Sequence, residues 1–521
     1  MPEPLKYPPL LILLVLLATC SNPFHQKNIP VAQFTLSVPN PASHSYHVEL
    51  NISRFDVDTL ILKMPQWTPG YYQIMNYCES IENLSVKNKR GDDIPFSTVN
   101  CNTWRIPDSK NRELIVNYDI NTTRKFVANS YVDSTHAYIV PANTFMYVDG
   151  YLDNQVHVMI LKNPKWSDIA SCSGIATGTY VETGASHFDL IYDCPIMMGD
   201  LEELPSFEVN GAQHHFIGYK MGSFDKEVFV SSLEKVVRSA IEIIGDIPYR
   251  KYTFLAIGPG RGGIEHLNCT TVSFDGNQLQ SQEAINRVLA FLAHEYFHHY
   301  NVKRIRPFEL GPFDYDKENR TNLLWVSEGL TVYYQYLILR RAGLIDEQTL
   351  FDFLGRIIIA YENDNGKSYQ TLQQASYYTW QDGPFGTQEG SEDRSISFYD
   401  KGAIVGILLD FEIRNATQND KSLDDVMRYL YWLYYKKLKR GFTDAEFQEA
   451  CESIAGTSLT PLFEYVYTTK ELDYNKYFNH AGLKVDKELS ISDNRAIVSF
   501  ITRLEERNEL QNTILRSWQG E

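Results

Sequence analysis

Residues 294–298 read His-Glu-Tyr-Phe-His, near the end of a segment with the periodicity of an amphipathic helix. Histidines four positions apart lie one above the other on a helix, so His294 and His298 can bind one Zn²⁺ ion. Glu295 would lie beside the open coordination position and could accept a proton from water. The other face of this predicted helix is apolar, through Ile285, Val288, Leu289 and Leu292.

A catalytic zinc site usually has three protein ligands and one water, so a third ligand is needed. One class of zinc peptidase has glycine and histidine three and six positions after the second histidine, where this chain has Asn301 and Arg304. The alternative class takes a glutamate from the next helix. Residues 324–330 open such a helix, and Glu328 within them is the natural candidate. Glu309 and Glu318 are weaker candidates because prolines and a glycine interrupt their segment, which predicts solvated loop charges.

The stretch His-Glu-Tyr-Phe-His-His-Tyr-Asn-Val-Lys-Arg-Ile-Arg-Pro at residues 294–307 resembles the glycyl aminopeptidase family of gluzincin metallopeptidases. The similarity continues at residues 312–315, 324–334 and 341–344, and it extends more loosely from residues 67–71 to 481–483. This resemblance implies an α+β multidomain fold, with an N-terminal all-β domain, a thermolysin-like α/β zinc peptidase domain and a helical C-terminal part.

The resemblance also implies two further functional positions. The Gly-Gly-Ile-Glu-His segment that begins at Gly262 is similar to the edge-strand motif of aminopeptidase gluzincins. There Gly262 and Gly263 would let a peptide backbone approach, and Glu265 would pair with its α-ammonium group. Tyr399 lies in a segment that resembles the one carrying the tyrosine that donates to the transition-state oxyanion. The structural alternatives are an ordinary carboxylate at a strand end for Glu265 and a packing role for Tyr399.

The periodicity of apolar and polar residues divides the chain into a strand-rich part and a helical part. Residues 31–216 alternate apolar and polar positions between Pro, Gly and Asn clusters, whereas helical periodicity dominates after residue 281. These patterns predict a signal peptide, an N-terminal β domain, a catalytic domain, a helical C-terminal part and a short tail, at residues 1–20, 27–216, 217–345, 346–485 and 486–521.

The N-terminus predicts export. Lys6 precedes an apolar run at residues 10–18 that is too short to span a bilayer but typical of a signal peptide. Cys20 follows this run in a context that resembles a bacterial lipobox, so we expect a periplasmic protein or a cell-envelope lipoprotein anchored at Cys20, with ordinary signal cleavage as the alternative. No other stretch has the pattern of a transmembrane span. Six cysteines remain, which permits disulfides, and none forms a Cys-x-x-Cys zinc motif.

The net charge of −17 argues against a nucleic acid partner, because it repels phosphates. A peptide substrate fits the motifs better. Together with these motifs, the resemblance implies a zinc aminopeptidase that releases small N-terminal residues such as Gly or Ala, with one Zn²⁺ per chain. The alternatives are a zinc endopeptidase or dipeptidase with the same site, and a binding protein of the same fold without catalysis. The intact Glu295 argues against the last, because a protein that only binds zinc does not need the base.

Overall fold

The computed structural model describes residues 30–122, 124–383, 394–489 and 497–521. The predicted signal peptide and Cys20 lie outside the described residues. Among the helices of the described ranges, none is long and apolar enough to cross a bilayer.

The first part of the chain is all-β, as its alternation predicts, and we call it the β domain (residues 30–200). Its three sheets have the strand orders β14-β11-β1-β2-β7-β4, β10-β3-β6-β5 and β13-β12-β15-β9-β8. Every second residue of β2 is buried, which is the pattern of a strand with one face on the core. The elements are β1 (Val31–Ser37), β2 (Ser45–Ser53), β3 (Thr59–Lys63), β4 (Ile81–Asn88), β5 (Ser97–Asn100), β6 (Thr103–Pro107), β7 (Leu114–Asn121), β8 (Tyr131–Val132), β9 (His136–Ile139), β10 (Tyr147–Val148), β11 (Val156–Leu161), β12 (Asp168–Ser171), β13 (Gly174–Ala176), β14 (Tyr180–Ala185), α1 (Phe188–Tyr192) and β15 (Ile196–Gly199).

A mixed sheet follows the β domain. We call it the second sheet to distinguish it from the three sheets of that domain. Strands β18, β19 and β21 are parallel neighbours, and β20 pairs with β21 in the antiparallel direction at one edge. The sheet contains β16 (Glu202–Glu203), β17 (Phe207–Val209), β18 (Ala212–Gly218), β19 (Lys251–Ala256), β20 (Gly263–Glu265) and β21 (Cys269–Val272). The predicted domain boundary at residue 216 falls inside β18. Alternation identifies a strand, but it does not say which sheet the strand joins.

The remainder of the described chain is mainly helical, as the resemblance implies. Helix α3 begins at a cap in which the Ser281 side chain accepts from the Ala284 amide, and it ends at His298. The capping box predicted at Thr443 and Glu446 begins α10. The helices are α2 (Lys226–Ile244), α3 (Gln282–Phe297), α4 (Leu330–Arg341), α5 (Glu347–Glu362), α6 (Leu372–Tyr377), α7 (Thr379–Asp382), α8 (Phe398–Ala416), α9 (Leu423–Leu430), α10 (Asp444–Ala455), α11 (Thr460–Tyr467) and α12 (Tyr474–Phe478), with π-helical turns at Trp325–Gly329 and Tyr431–Leu438.

The last described residues pack onto the helical part. They form β22 (Leu483–Leu489), β23 (Ile497–Arg503) and α13 (Glu509–Gln519). Trp518 of α13 is fully buried, and its indole N–H donates to the Tyr333 hydroxyl at 2.9 Å. The predicted tail at residues 486–521 therefore contributes to the core of the helical part.

The β domain and the second sheet share their hydrophobic cores. Trp67 and Tyr72 of the β domain lie in the core formed by the helices, whereas Leu255 and Ile264 of the second sheet lie in the core of the β domain. Disulfides link Cys78 to Cys101 and Cys172 to Cys269, and the second one joins the β domain to β21. This shared packing fixes the loop at residues 67–72 against the edge strand β20.

Candidate active site

The three predicted metal ligands come together. The last turn of α3 presents His294 and His298, and the π-helical turn before α4 presents Glu328. Their donor atoms all lie within 4.8 Å of one another. The Nε2 atoms of the histidines are 2.9 Å apart, and Glu328 Oε2 lies 3.6 Å from His294 Nε2 and 3.1 Å from His298 Nε2. Irregular π-helical turns of this kind often occur at functional sites.

The outer ring nitrogens of both histidines are engaged by oxygen acceptors. His294 Nδ1 lies 2.8 Å from Gln335 Oε1, and His298 Nδ1 lies 2.9 Å from the Asn301 carbonyl oxygen. Each Nδ1 must therefore carry the proton of the neutral imidazole. The Nε2 atoms then keep their lone pairs, which point toward Glu328. The donor set therefore consists of two imidazole nitrogens and one carboxylate oxygen, and hydrogen bonds fix the tautomers of both histidines. This set fits tetrahedral zinc with one position open for water.

The charges of the site favour a cation. Burial lowers the pKa of His298, but Glu328, Glu265 and Glu295 outweigh this effect and raise it to about 10. Burial and the neighbouring His298 lower the pKa of His294. Burial raises the pKa of Glu328, but the two imidazoles hold it well below its usual range. In the metal-free protein, protonated His298 thus supplies the positive charge that a metal ion would otherwise provide to these carboxylates.

The predicted base, Glu295, lies between α3 and the edge strand. Burial raises its pKa to about 8, with His298 acting in the opposite direction. Thr270 Oγ1 lies 3.4 Å from its Oε2 atom. A Cβ atom on Gly263 would lie 2.6 Å from the Glu295 carboxyl carbon and 2.9 Å from the Phe291 ring. Glycine at position 263 therefore allows the close approach of β20 to the Glu295 carboxylate.

Glu265 lies at the other end of β20 and is buried. Burial raises its pKa, while His298 and Lys303 lower it. Lys303 is already committed, because its ammonium group pairs with Asp193 at 2.7 Å. A Cβ atom on Gly70 would lie 2.8 Å from Glu265 Oε2, so the β-domain loop closes directly over this carboxylate. The carboxylate thus lies in a confined position beside the ligand cluster.

Tyr399, in the first turn of α8, lies beside the ligands. Its ring stacks at 6.3 Å from the His294 ring. Burial, followed by Glu328, Glu265 and Glu295, raises the pKa of its hydroxyl well above the usual value, so it remains a hydrogen-bond donor. Gly262, Gly263, His294, Glu295 and Tyr399 all line one cavity of about 420 Å³. The structure therefore brings all the predicted site residues around one cluster.

Sequence reasoning missed Tyr72, Gly70 and Gln335. The Tyr72 hydroxyl donates to Glu328 Oε1 at 3.1 Å, which leaves Oε2 for the metal. Tyr72 and Gly70 both come from the β domain. Gly70 lies in the segment 67–71 that carries part of the family resemblance but was given no role there, and no local pattern marks Tyr72. Gln335 lies on α4 seven positions after Glu328, two helical turns along the same face, and this spacing is a signal that could have identified it.

Two family models match the chain. The model described as Peptidase M61 N-terminal domain matches residues 33–200, and the model described as M61 glycyl aminopeptidase matches residues 287–405. Together they match more than half of the sequence, including His294, Glu295, Glu328 and Tyr399. The chain belongs to the M61 glycyl aminopeptidase family. This M61 protein is accordingly a zinc metalloaminopeptidase, and its peptidase activity is that of the family.

Solved structures share the fold of this M61 protein. An aminopeptidase N family protein from Idiomarina loihiensis is 24% identical, with a TM-score of 0.82, and the match covers 90% of this chain and 81% of that one. An M1 zinc metallopeptidase from Deinococcus radiodurans is 12% identical, with a TM-score of 0.54 and coverage of 85% and 94%. A variant of that metallopeptidase bound to a Tyr-Ser-Ala substrate matches equally well. At these identities the likeness supports the fold alone. No sequence of a curated protein matches significantly.

Proposed function

We propose that this protein is an exported aminopeptidase that releases small N-terminal residues, such as Gly or Ala, from peptides. The proposal also assigns one Zn²⁺ to each chain, held by His294, His298 and Glu328. The observation that carries it is the confined position of Glu265, whose buried carboxylate lies beside the ligand cluster under the β-domain loop while Lys303 is paired elsewhere. An α-ammonium group would form an ion pair with this carboxylate.

The residues of the chain then have distinct roles. When bound, zinc polarises the scissile carbonyl and lowers the pKa of the attacking water. Glu295 accepts a proton from that water and passes it to the leaving amine. The Tyr399 hydroxyl donates a hydrogen bond to the developing oxyanion. Gly262 and Gly263 admit the peptide backbone, and Glu265 binds its amino terminus.

A preference for small first residues is supported by the crowding around Glu265. On the β-domain side, Gly70 leaves no room for a side chain, because a Cβ atom there would lie 2.8 Å from Glu265 Oε2. Tyr72 is buried next to Glu328, and the Trp380 ring packs against it with centroids 6.3 Å apart. A side chain bound next to the amine would meet these aromatic rings, so the space suits Gly and Ala better than large residues.

The proposal is tested with a free tetrapeptide, Gly-Ala-Ala-Ala, and the same peptide N-acetylated. We expect release of glycine from the free peptide and at least a hundredfold slower cleavage of the acetylated one.

Glu265→Gln should raise the KM for the free peptide, because an amide carries no charge for the ammonium group. Glu295→Gln, the control for catalysis, should lower kcat by about 10²- to 10⁴-fold and retain zinc. Equal cleavage of both peptides would contradict the exopeptidase role and favour an endopeptidase.

Export is a separate part of the proposal. The Lys6 cation and the apolar run before Cys20 support secretion, and the lipobox-like context supports lipidation of Cys20 in the periplasm or cell envelope. Mass spectrometry of the mature N-terminus tests this directly. A diacylglyceryl group on Cys20 is the expected result, and Cys20→Ser should release the protein into the soluble fraction. An intact N-terminus at Met1 would contradict export by this route.

A further inference from the structure

A second cavity lies beyond the amino end of the edge strand, and we call it the exit cavity. It has a volume of about 520 Å³. It opens where the parallel strands β18, β19 and β21 end, which is where the crevices of such sheets usually bind ligands. Its lining combines basic and aromatic residues of the β domain with residues that follow β18 and β19 in the second sheet, and it includes Lys125, Phe126, Tyr219, Lys220, Gly258 and Arg261.

The chain itself connects this cavity to the active site. Arg261 lines the exit cavity, and the next two residues, Gly262 and Gly263, line the cavity that contains Glu295. Strand β20 is the edge of its sheet, so no strand among the described residues pairs with its outer backbone groups. A ligand that leaves the active site along β20 toward its amino end therefore reaches Arg261.

The two ends of the active site fix the direction of a bound peptide. The amino terminus would lie at Glu265, at the carboxyl end of β20, and the scissile bond must lie near Glu295, next to Gly263. The peptide therefore runs antiparallel to β20 and continues past Gly262. Strand β20 covers only Gly263–Glu265, so an extended peptide, which advances about 3.4 Å per residue, would need about three to five residues to run from Glu265 past Gly262 to the turn that carries Arg261.

The exit cavity carries positive charge in a chain whose net charge is −17. Asp133 neutralises Lys125 through an ion pair of 2.8 Å, and burial, the largest effect, lowers the pKa of His136. Lys220 and Arg261 are exposed, and no carboxylate within the described parts of the chain forms an ion pair with either. Lys220 instead lies over the Tyr219 ring at 5.1 Å. Two cations that form no direct ion pair within the described residues thus face this cavity. Tyr219 raises the pKa of Lys220 most, and Asp133 acts on Lys220 only as a nearby charge that helps to raise this pKa.

We propose that the exit cavity is a subsite for the C-terminal carboxylate of short peptides, bound by Arg261 and Lys220. This inference rests on the proposed aminopeptidase function and adds its substrate class, namely peptides of about three to five residues with a free C-terminus. The turn at Gly258, where a Cβ atom would meet nothing within 4 Å, leaves room for the end of the peptide. Guanidinium groups bind carboxylates with two parallel hydrogen bonds, which suits Arg261 to this role.

The test compares Gly-Ala-Ala-Ala as a free acid with its C-terminal amide. We expect the wild-type kcat/KM to be about tenfold higher for the acid, mainly through KM, as loss of a charge-assisted hydrogen bond predicts. The double variant Arg261→Gln/Lys220→Gln should cleave both peptides equally well. Arg250→Gln is the matched control, because Arg250 is also exposed but precedes β19 at the opposite end of the strand. It should retain the tenfold preference, and 0.5 M NaCl should reduce that preference in the wild type.

A third peptide, Gly-Ala-Ala-Glu with an amidated C-terminus, distinguishes a main-chain carboxylate from an acidic side chain. Recovery of the rate with this peptide would assign the subsite to acidic side chains as well, and no recovery would assign it to the C-terminus. Equal kcat/KM for the acid and the amide in the wild type would overturn the inference, as would a preference that survives in the double variant. Cleavage of an N-acetylated peptide at the rate of the free one would instead contradict the aminopeptidase function itself.

Discussion

At the scale of single residues, the protonation of His298 sets the charge of the metal-free site. It lies among Glu328, Glu265 and Glu295, and together they raise its pKa to about 10 against the effect of burial. Its Nδ1 atom is fixed by the Asn301 carbonyl. The proton that titrates is therefore on Nε2, the atom that would bind zinc. Zinc and this proton compete for one lone pair.

This competition predicts how zinc affinity depends on pH. Below the raised pKa of His298 the metal-free protein holds the proton, so binding must release it, and above about pH 10 no proton remains to be displaced. Apparent zinc affinity should rise about tenfold or more per pH unit between pH 6.5 and 8.5. Chelator competition at three pH values measures the slope, and calorimetry in buffers of different ionisation enthalpy counts the protons. An affinity that does not change with pH would contradict this assignment.

The hydroxyl of Tyr399 is a second single group on which the proposed mechanism depends. Because burial and Glu328 raise its pKa well above the usual value, it keeps its proton and can donate to an oxyanion. Tyr399→Phe should lower kcat by about 10²- to 10³-fold with little change in KM, the usual cost of one oxyanion donor. Zinc content should stay equal to that of the wild type. Unchanged turnover would remove Tyr399 from the mechanism and leave it a packing residue.

At the scale of elements, the site depends on a close crossing between the π-helical turn and α8. Gly329 and Gly402 meet there, and a Cβ atom on Gly329 would lie 2.5 Å from Gly402 Cα. The turn carries Glu328, and the first turn of α8 carries Tyr399. The contact between the two glycines therefore sets the distance between a metal ligand and the predicted oxyanion donor.

Gly402→Ala should disturb this crossing. Its Cβ atom would lie 2.9 Å from the Trp325 carbonyl oxygen and 3.0 Å from Gly329 Cα, both of which are backbone atoms. We expect a loss of about 1 to 3 kcal/mol in the free energy of unfolding and a lower kcat. Gly406→Ala is the control one turn along α8, where the close neighbour at 2.8 Å is the flexible end of Leu330. Equal effects of the two substitutions on kcat would contradict the coupling.

The elements also explain what the sequence could predict. The two histidines and Glu295 share one helix, so their arrangement follows from spacing, and Glu328 follows from the need for a third ligand on the next helix. The β domain and the helical part follow from periodicity and from the family resemblance. Tyr72 could not be predicted, because it reaches Glu328 across 256 positions through tertiary packing. For the same reason, alternation found β18 but not its place in the second sheet.

At the scale of the whole molecule, the β domain is part of the active site. Its loop at residues 67–72 places Gly70 on Glu265 and Tyr72 on Glu328. Trp67 anchors the loop by donating from its indole N–H to the Asp314 carbonyl at 2.9 Å, and Lys63 pairs with Asp316 at 2.8 Å. The shared cores make the β domain and the second sheet one packed unit at the position where the substrate would bind.

Tyr72→Phe tests this contribution of the β domain. Loss of the hydroxyl leaves Glu328 Oε1 without its donor, and removal of such a partner of a metal ligand typically costs about 10- to 100-fold in metal affinity or activity. We expect a faster loss of zinc to a chelator and no change in fold. Tyr71→Phe is the matched control, because the Tyr71 hydroxyl donates to Gln73, away from the ligands. Equal zinc retention in the two variants would show that Tyr72 only fills space.

The central claim is that His294, His298 and Glu328 converge on one zinc ion. It is tested most directly by the zinc content of the purified protein and of Glu328→Ala, measured by inductively coupled plasma mass spectrometry together with glycine release. We predict one zinc per chain in the wild type, with loss of both zinc and activity in the variant and an unchanged circular dichroism spectrum. A folded Glu328→Ala protein that retains stoichiometric zinc and cleaves peptides would contradict the account.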